Sequence, residues 1–252
     1  MSESVNGSEQ ELMTDPWEHH AEWWQREFTD GVDPEYTEQI LPLIHLHLPD
    51  SGRLVDVGCG EGQVARMATE LNSMDAVGVD PAMSQVKVAS ERGGGPVYTQ
   101  GSAAALALPS ASMDAAVACL VFEHIEDLDA ALAEVARVLR PGGRFLFLLN
   151  HPLLQTPGSG WIDDQMIDPP EQYWRIGAYL VEGDTEEQVE RGVFIRFFHR
   201  PLSRYLNTAA DLGLQLVRME EPSPPPGFLA RAPEYLEAAT IPRLLFLRFE
   251  RC

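Results

Sequence analysis

The stretch LVDVGCGEGQVARMATE, residues 54–70, sets an apolar run, three alternating glycines and a helix-like run in direct succession. Gly58, Gly60 and Gly62 permit a sharp turn and a close approach of backbone to a ligand, as α/β sheets require where a strand hands over to a helix. A dinucleotide fingerprint, GxGxxG, needs its third glycine at position 63, and that residue is Gln63. The pattern is GxGxG, which leaves two readings: an ordinary tight strand–helix turn, or a nucleoside site of another kind. Asp80 ends the run VGVD, 20 residues after Gly60. An acid there can accept both hydroxyls of a ribose, and with Pro81 behind it can equally cap the next helix.

Around this turn the chain alternates. Apolar runs at 53–57, 76–80, 97–100, 114–120 and 143–149 read as strands, with helical patterns near 62–72, 82–91, 103–107 and 128–139 between them. Near-continuous apolar strands separated by helices belong to a parallel sheet covered on both faces. Arg140-Pro141-Gly142-Gly143 stops the fourth helix and turns the chain into the fifth strand. Upstream, residues 15–50 form a helical cap, PWEHHAEWWQREF and PEYTEQILPLIHLHL, with Asp15-Pro16 and Asp33-Pro34 as helix starts. Residues 1–14 read as a disordered tail. Residues 151–200 lose the rhythm and read as an inserted lid, in which YWRIGAYL and GVFIRFFH are candidates to pair as short strands. In 201–252 a helix, PLSRYLNTAADLGL, precedes the strands LQLVRMEE and RLLFLRFE, with a proline-rich loop between them. The expected fold is α/β: a Rossmann-like, seven-stranded, mostly parallel sheet with helices on both faces, an antiparallel final pair, and its binding core at 51–150.

Eighteen Lys and Arg against 39 Asp and Glu give a net charge of −21. Such a field repels a phosphate backbone, so nucleic acid is not the expected partner. Cys59, Cys119 and Cys252 lie far apart, with no CxxC and no zinc spacing. No metal ligand set is legible, Asp163-Asp164 included. Cysteine usage favours a reducing compartment. No apolar run approaches the roughly 20 residues of a membrane span, and MSESVNGSEQE has neither a basic region nor an apolar core of the secretory kind. The expected location is the cytoplasm.

Four segments in this order, LVDVGCGEG, VGVD, LPSASMDAAVACLVFEHIED and LAEVARVLRPGGRFLFLL, resemble class I S-adenosylmethionine-dependent methyltransferases of the type 11 kind. The resemblance is strong over about residues 40–150 and looser over the last two strands. It implies S-adenosyl-L-methionine as cofactor. It also implies that Asp56, Gly58, Cys59 and Gly60 hold the methionine part, that Asp80 with Pro81 holds the ribose, and that Met83 packs on the adenine. Ser102 and Ala103 would face the adenine amino group, with Ser102 standing where the family usually has Asp, and Leu120 would line the reacting sulfur. Glu61 replaces a more usual Thr and would interact favourably with the helix dipole. The full chain also resembles actinobacterial enzymes associated with methylated glucose lipopolysaccharides, which adds a saccharide to small molecules as acceptor classes. Other readings are an N- or C-methyltransferase, a non-catalytic binder of the same cofactor, and an NAD-dependent oxidoreductase.

Transfer from a sulfonium mainly requires alignment, and a hydroxyl acceptor adds a need for a base, for which histidine is suited near neutral pH. His124 follows the fourth strand and His151 the fifth, at the carboxyl edge where open α/β sheets bind ligands; His199 closes the inserted segment. His151 is the first candidate, His199 the second and His124 the third, each weighed against a structural hydrogen-bonding role. His45 and His47 read as packing residues, and His19 and His20 as part of the cap. Tyr173, Trp174, Tyr179, Phe197 and Phe198 form either an acceptor wall or the lid's own small core. Arg175, Arg196 and Arg200 either receive an acceptor anion or offset neighbouring acids. Asp168-Pro169-Pro170 falls after the fifth strand and lacks the aromatic of the amino-methylating DPPY motif, and Cys119 lacks the proline of cytosine-methylating enzymes.

Overall fold

The computed structural model describes residues 16–29, 32–231 and 238–252. The expected tail, Asp15 and part of the proline-rich loop lie outside them. The cap consists of α1 (Pro16–Phe28) and a second helical stretch, 34–47, that opens with a π turn, Tyr36–Ile40, and continues as α2 (Leu41–His47). Asp33 starts this stretch as an N-cap would, its Oδ1 accepting from Glu35 N at 3.0 Å. The core then alternates: β1 (Gly52–Val57), α3 (Gln63–Asn72), β2 (Met74–Asp80), α4 (Met83–Arg92), β3 (Val97–Gln100), β4 (Met113–Cys119), α5 (Leu128–Val138) and β5 (Leu139–Asn150). Two antiparallel hairpins follow, β6 (Gly160–Asp164) with β7 (Glu171–Arg175) and β8 (Gly183–Glu190) with β9 (Val193–His199). Last come α6 (Leu202–Asp211), β10 (Leu214–Glu220), α7 (Pro226–Arg231) and β11 (Leu244–Arg251).

The main sheet has the order β10-β11-β5-β4-β1-β2-β3. Strands β1 to β5 are parallel, and β11 runs antiparallel to both β5 and β10. Chain order reverses between β1 and β4, so their carboxyl ends open a crevice at the switch point, where such sheets bind ligands.

Period-two alternation in β5 explains the layering. Phe145, Phe147 and Leu149 face the layer of α5 and α6, while Leu146 and Leu148 face that of α2 and α3. The first layer is aromatic: Phe147 lies 4.8 Å from Phe122, 5.0 Å from Phe145 and 5.8 Å from Tyr205 between ring centroids. The motif Arg140-Pro141-Gly142-Gly143 ends α5 and is extruded from the ladder, because β5 pairs with β4 through Leu139 and next through Arg144.

Two expectations are corrected. Residues 103–107 are not a helix. Ser102 Oγ accepts from Ala104 N at 3.2 Å, Leu106 N donates to Glu134 Oε2 at 2.7 Å, and Arg137 holds the carbonyls of Leu106 and Leu108. These side chains occupy the backbone groups that a helical turn would pair. The lid segments YWRIGAYL and GVFIRFFH do not pair with each other, since each belongs to a separate hairpin whose other strand comes from an adjacent stretch of the lid.

Removing Phe147 from this packed layer is expected to cost about 3–5 kcal/mol. Urea unfolding of Phe147→Ala checks this against Val97→Ala, a strand residue 66% exposed, for which less than about 0.5 kcal/mol is expected.

Candidate functional site

One cavity opens at the switch point. Its floor is the glycine turn. Gly58 N and Cys59 N both donate to Val79 O, at 2.7 and 3.1 Å, which pulls the turn against the end of β2. Gly58 has φ +71°, and a Cβ there would stand 2.5 Å from Val121 Cγ2. The ends of β1 and β4 can meet only because that position is glycine. Gly60 has φ +52°, and a Cβ on it would point toward Trp24 Nε1, 3.8 Å away across the cavity.

Asp80 is buried and organises both neighbouring segments. Its Oδ2 accepts from Gly60 N at 2.8 Å and its Oδ1 from Ala82 N at 2.9 Å. A carboxylate oxygen has two lone pairs, so one that holds a backbone donor can also accept from a hydroxyl. Asp56, also buried, accepts from Ala65 N at 3.1 Å in the first turn of α3. Burial pushes its pKa up to about 7, opposed by that backbone donor and reinforced by Asp80 and Glu61. Glu61 does more than meet a helix dipole. Its buried Oε2 pairs with Arg66 of α3 and Arg92 of α4, both at 2.5 Å. Leu120, at the end of β4, has φ +57°, a strained conformation for a branched side chain that the Leu120 N to Leu148 O bond (2.9 Å) helps hold.

Of the sequence-assigned cofactor residues, Asp56, Gly58, Cys59, Gly60, Asp80, Pro81, Ser102, Ala103 and Leu120 line this cavity. Met83 does not, and Gln85 of the same helix does. The cap supplies residues that sequence reasoning left unassigned: Trp17, Trp24 and Tyr36 line the same cavity. Its helix α1 is tied down by Glu18 to Ser84 N (3.2 Å), Gln25 to Gln85 (2.9 Å) and Phe28 O to Gln63 Nε2 (3.4 Å). The cluster of tryptophans beside a glycine turn was the available signal.

The three candidate histidines separate. His124 lines the cavity, its ring 4.8 Å from Trp17 and 4.7 Å from Phe197. Its Nδ1 donates to Arg196 O at 2.9 Å, which leaves Nε2 as a lone-pair acceptor with no hydrogen-bond partner among the described residues. Burial lowers its pKa to about 4, so the ring is neutral at physiological pH. His151 and His199 do not line the cavity. His151 is buried, with Nδ1 accepting from Leu153 N (3.1 Å) and Nε2 donating to Glu221 (2.9 Å). His199 is buried in the lid and donates from Nε2 to Tyr179 O at 2.8 Å. Arg200 spends its guanidinium on the carbonyls of Phe122, Ile125 and Glu126, and Arg196 pairs with Asp184. Arg200 therefore braces the lid against the loop after β4, and Arg196 ties the two strands of the second hairpin together. Trp161 and Trp174 meet edge-on at 5.6 Å within the first hairpin, away from the cavity lining.

Residues 55–147 match the methyltransferase domain family. A malonyl-[acyl-carrier protein] O-methyltransferase of Serratia marcescens is 39% identical over 117 residues, which are 46% of this chain and 44% of that protein. The 27-O-demethylrifamycin SV methyltransferase of Amycolatopsis mediterranei is 33% identical over 157 residues, 59% of this chain and 56% of that one. The chain spans about half the length of these curated relatives. The crystal structure of an S-adenosylmethionine dependent methyltransferase from Mesorhizobium loti superposes with a TM-score of 0.72 at 29% identity, covering 83% of this chain and 96% of that chain. The fold is thus the Rossmann-like methyltransferase fold, antiparallel final strands included.

Glu123, next in sequence to His124, is buried, and its Oε1 accepts from Asn150 N (3.1 Å) and Nδ2 (2.9 Å). Burial raises its pKa from 4.5 to about 7. The folded protein therefore retains a proton that the unfolded chain releases between these values, so stability falls as pH rises through that window and is level above it. Glu123→Gln is expected to show a smaller loss of urea midpoint between pH 5 and pH 8 than the parent, and a higher midpoint at pH 8.

Proposed function

We propose that this chain is an S-adenosylmethionine-dependent methyltransferase that acts on a hydroxyl of a small molecule or saccharide. One observation carries the reading: a single cavity joins a glycine turn, an acid at the end of β2, and a neutral imidazole whose acceptor nitrogen is unused. The residues present fit the cofactor. Asp80 is a carboxylate fixed at the cavity by two backbone donors, an acceptor of the kind ribose hydroxyls need, and the missing Cβ of Gly60 leaves room beneath Trp24. The methyltransferase domain match and the Mesorhizobium loti neighbour support the same compound.

When bound, S-adenosylmethionine supplies a methyl group already activated by its sulfonium. The chain's part is then to hold and align. Asp56 and the turn Gly58–Cys59–Gly60 hold the amino-acid portion, Asp80 and Pro81 the ribose, and Ser102 and Ala103 the adenine edge. Trp17 and the strained Leu120 exclude water from the reacting end. His124 Nε2 accepts the acceptor's O–H, fixes its oxygen lone pair in the cavity, and takes the proton as the new bond forms. A weak, neutral base suits this role, because it orients the hydroxyl without binding the proton beforehand. His151 and His199 hold the loop after β5 and the lid instead of acting as bases. A saccharide hydroxyl, as in methylated glucose lipopolysaccharides, is one acceptor within this proposal. An N–H acceptor would use the same nitrogen. Hydride transfer to NAD is disfavoured by Gln63 in the fingerprint position and by the antiparallel edge of the sheet. Three unpaired cysteines agree with a cytoplasmic setting, and no helix among the described residues is long and apolar enough to cross a membrane.

Turnover of labelled cofactor on a panel of glycosides, phenols and amines tests the proposal. His124→Phe keeps the ring packing and removes the acceptor nitrogen, and is expected to lower kcat about 10²–10⁴-fold, the usual contribution of a general base. S-adenosylhomocysteine affinity should stay unchanged. His151→Gln and His199→Gln should lower stability and leave kcat within about twofold of the parent. Cofactor binding without consumption on any acceptor would favour a silent binder.

A further inference from the structure

The cavity carries a charge problem. Asp56, Glu61 and Asp80 line it, and no Lys or Arg does among the described residues. Residues 1–15, 30–31 and 232–237 contain no Lys or Arg either. An amino-acid carboxylate placed over the glycine turn has no cation to meet, and two backbone donors of that turn, Gly58 N and Cys59 N, are spent on Val79 O while Gly60 N is spent on Asp80. The donors left above the turn are neutral. Trp24 Nε1 faces Gly60 across the cavity and has no hydrogen-bond partner among the described residues. Its ring is locked by stacking on Phe28 at 4.4 Å and by an edge contact with Tyr36 at 6.5 Å. Tyr36 is buried in the same wall, and its hydroxyl lies 3.9 Å from Cys119 Sγ, a thiol that is a weak partner in either direction, so the phenol hydrogen has no strong acceptor among the described residues. Burial, with the Cys119 thiol beside it, raises its pKa well above the usual value, so the phenol stays a donor.

We infer that Trp24 and Tyr36 form a neutral two-donor site for the amino-acid carboxylate of the cofactor, with the indole N–H and the phenol O–H in place of a cation. This rests on the cofactor proposed above. The site explains why the cap helix presents a tryptophan to the glycine turn when apolar cover alone would do. It also keeps a lysine or arginine away from the sulfonium, with which such a charge would compete for Asp56 and Asp80.

Calorimetry on the full chain tests the assignment with two probes: S-adenosylhomocysteine, and its decarboxylated counterpart, 5′-(3-aminopropylthio)-5′-deoxyadenosine. Hydrogen bonds to a charged group are worth about tenfold or more each. The parent is expected to bind S-adenosylhomocysteine at least about tenfold more tightly than the decarboxylated probe. Trp24→Phe and Tyr36→Phe should each reduce that preference about tenfold or abolish it, with the affinity for the decarboxylated probe changed less than about twofold. Tyr36→Phe deletes one oxygen atom and carries the test alone if Trp24→Phe fails to fold. A preference kept in full by both variants overturns the site while the cofactor reading stands. A parent that binds neither probe overturns the cofactor reading, and the site with it.

Discussion

The carboxylate of Asp80 is the constraint on which the site depends. It accepts from Gly60 N on one oxygen and Ala82 N on the other, so one anion fixes the glycine turn after β1 and the start of α4 after β2. The turn in turn fixes the spacing of β1 and β4. Gly58 lies under Val121, and the next residues of that loop, Phe122 and His124, place an aromatic in the core and an imidazole in the cavity. A change at Asp80 would thus reach both ends of the pocket through backbone, without touching a ligand. The Glu61 pairs with Arg66 and Arg92 act similarly. They bind the turn to α3 and α4, and Arg92 continues to Thr29 Oγ1 (3.4 Å) at the end of the cap.

Most of the fold was legible because the physical signals are local. Apolar runs, helical periods and the GxGxG turn are each contained within a few residues, and the strands and helices of the core fall within a few residues of their expected places. Residues 103–107 misled for a definite reason: alanines and leucines there have helical propensity, but Glu134 and Arg137, some 30 residues away, take the backbone groups. The lid misled in the same way. Its strand-like segments were visible, but which strands pair depends on turns that no short pattern specified, and the charged sequence of β8, GDTEEQVE, hides a strand behind exposed acids.

The histidines show where sequence order stops being informative. His124 and His151 follow strands and His199 ends one, and their order along the chain put His151 first. Partners in space separate them. Both ring nitrogens of His151 are engaged and His199 is bound within the lid, whereas His124 spends one nitrogen on Arg196 O and keeps the other for the cavity. The lid thereby fixes the tautomer of a residue that belongs to the core. That link, from β9 backbone to imidazole to cavity, could not be read from FEHIED.

Charge completes the account. A net charge of −21 was first of all an argument against nucleic acid. Inside the cavity the same bias has a sign that matters for a methyl donor. The donor carries a sulfonium and an ammonium against one carboxylate, a net +1, and loses one positive charge on transfer. On the function proposed above, Asp56 and Asp80 would favour the compound before transfer over the compound after it, because opposite charges attract more strongly in a partly dry site than in water. Burial lifts Asp56 to a pKa of about 7, and a cation beside it would favour its charged form. The neutral donors inferred in the cap, Trp24 and Tyr36, would preserve that arrangement. An arginine in their place would hold the carboxylate more tightly, but it would also neutralise the acids that distinguish donor from product, and binding strength would rise at the expense of release.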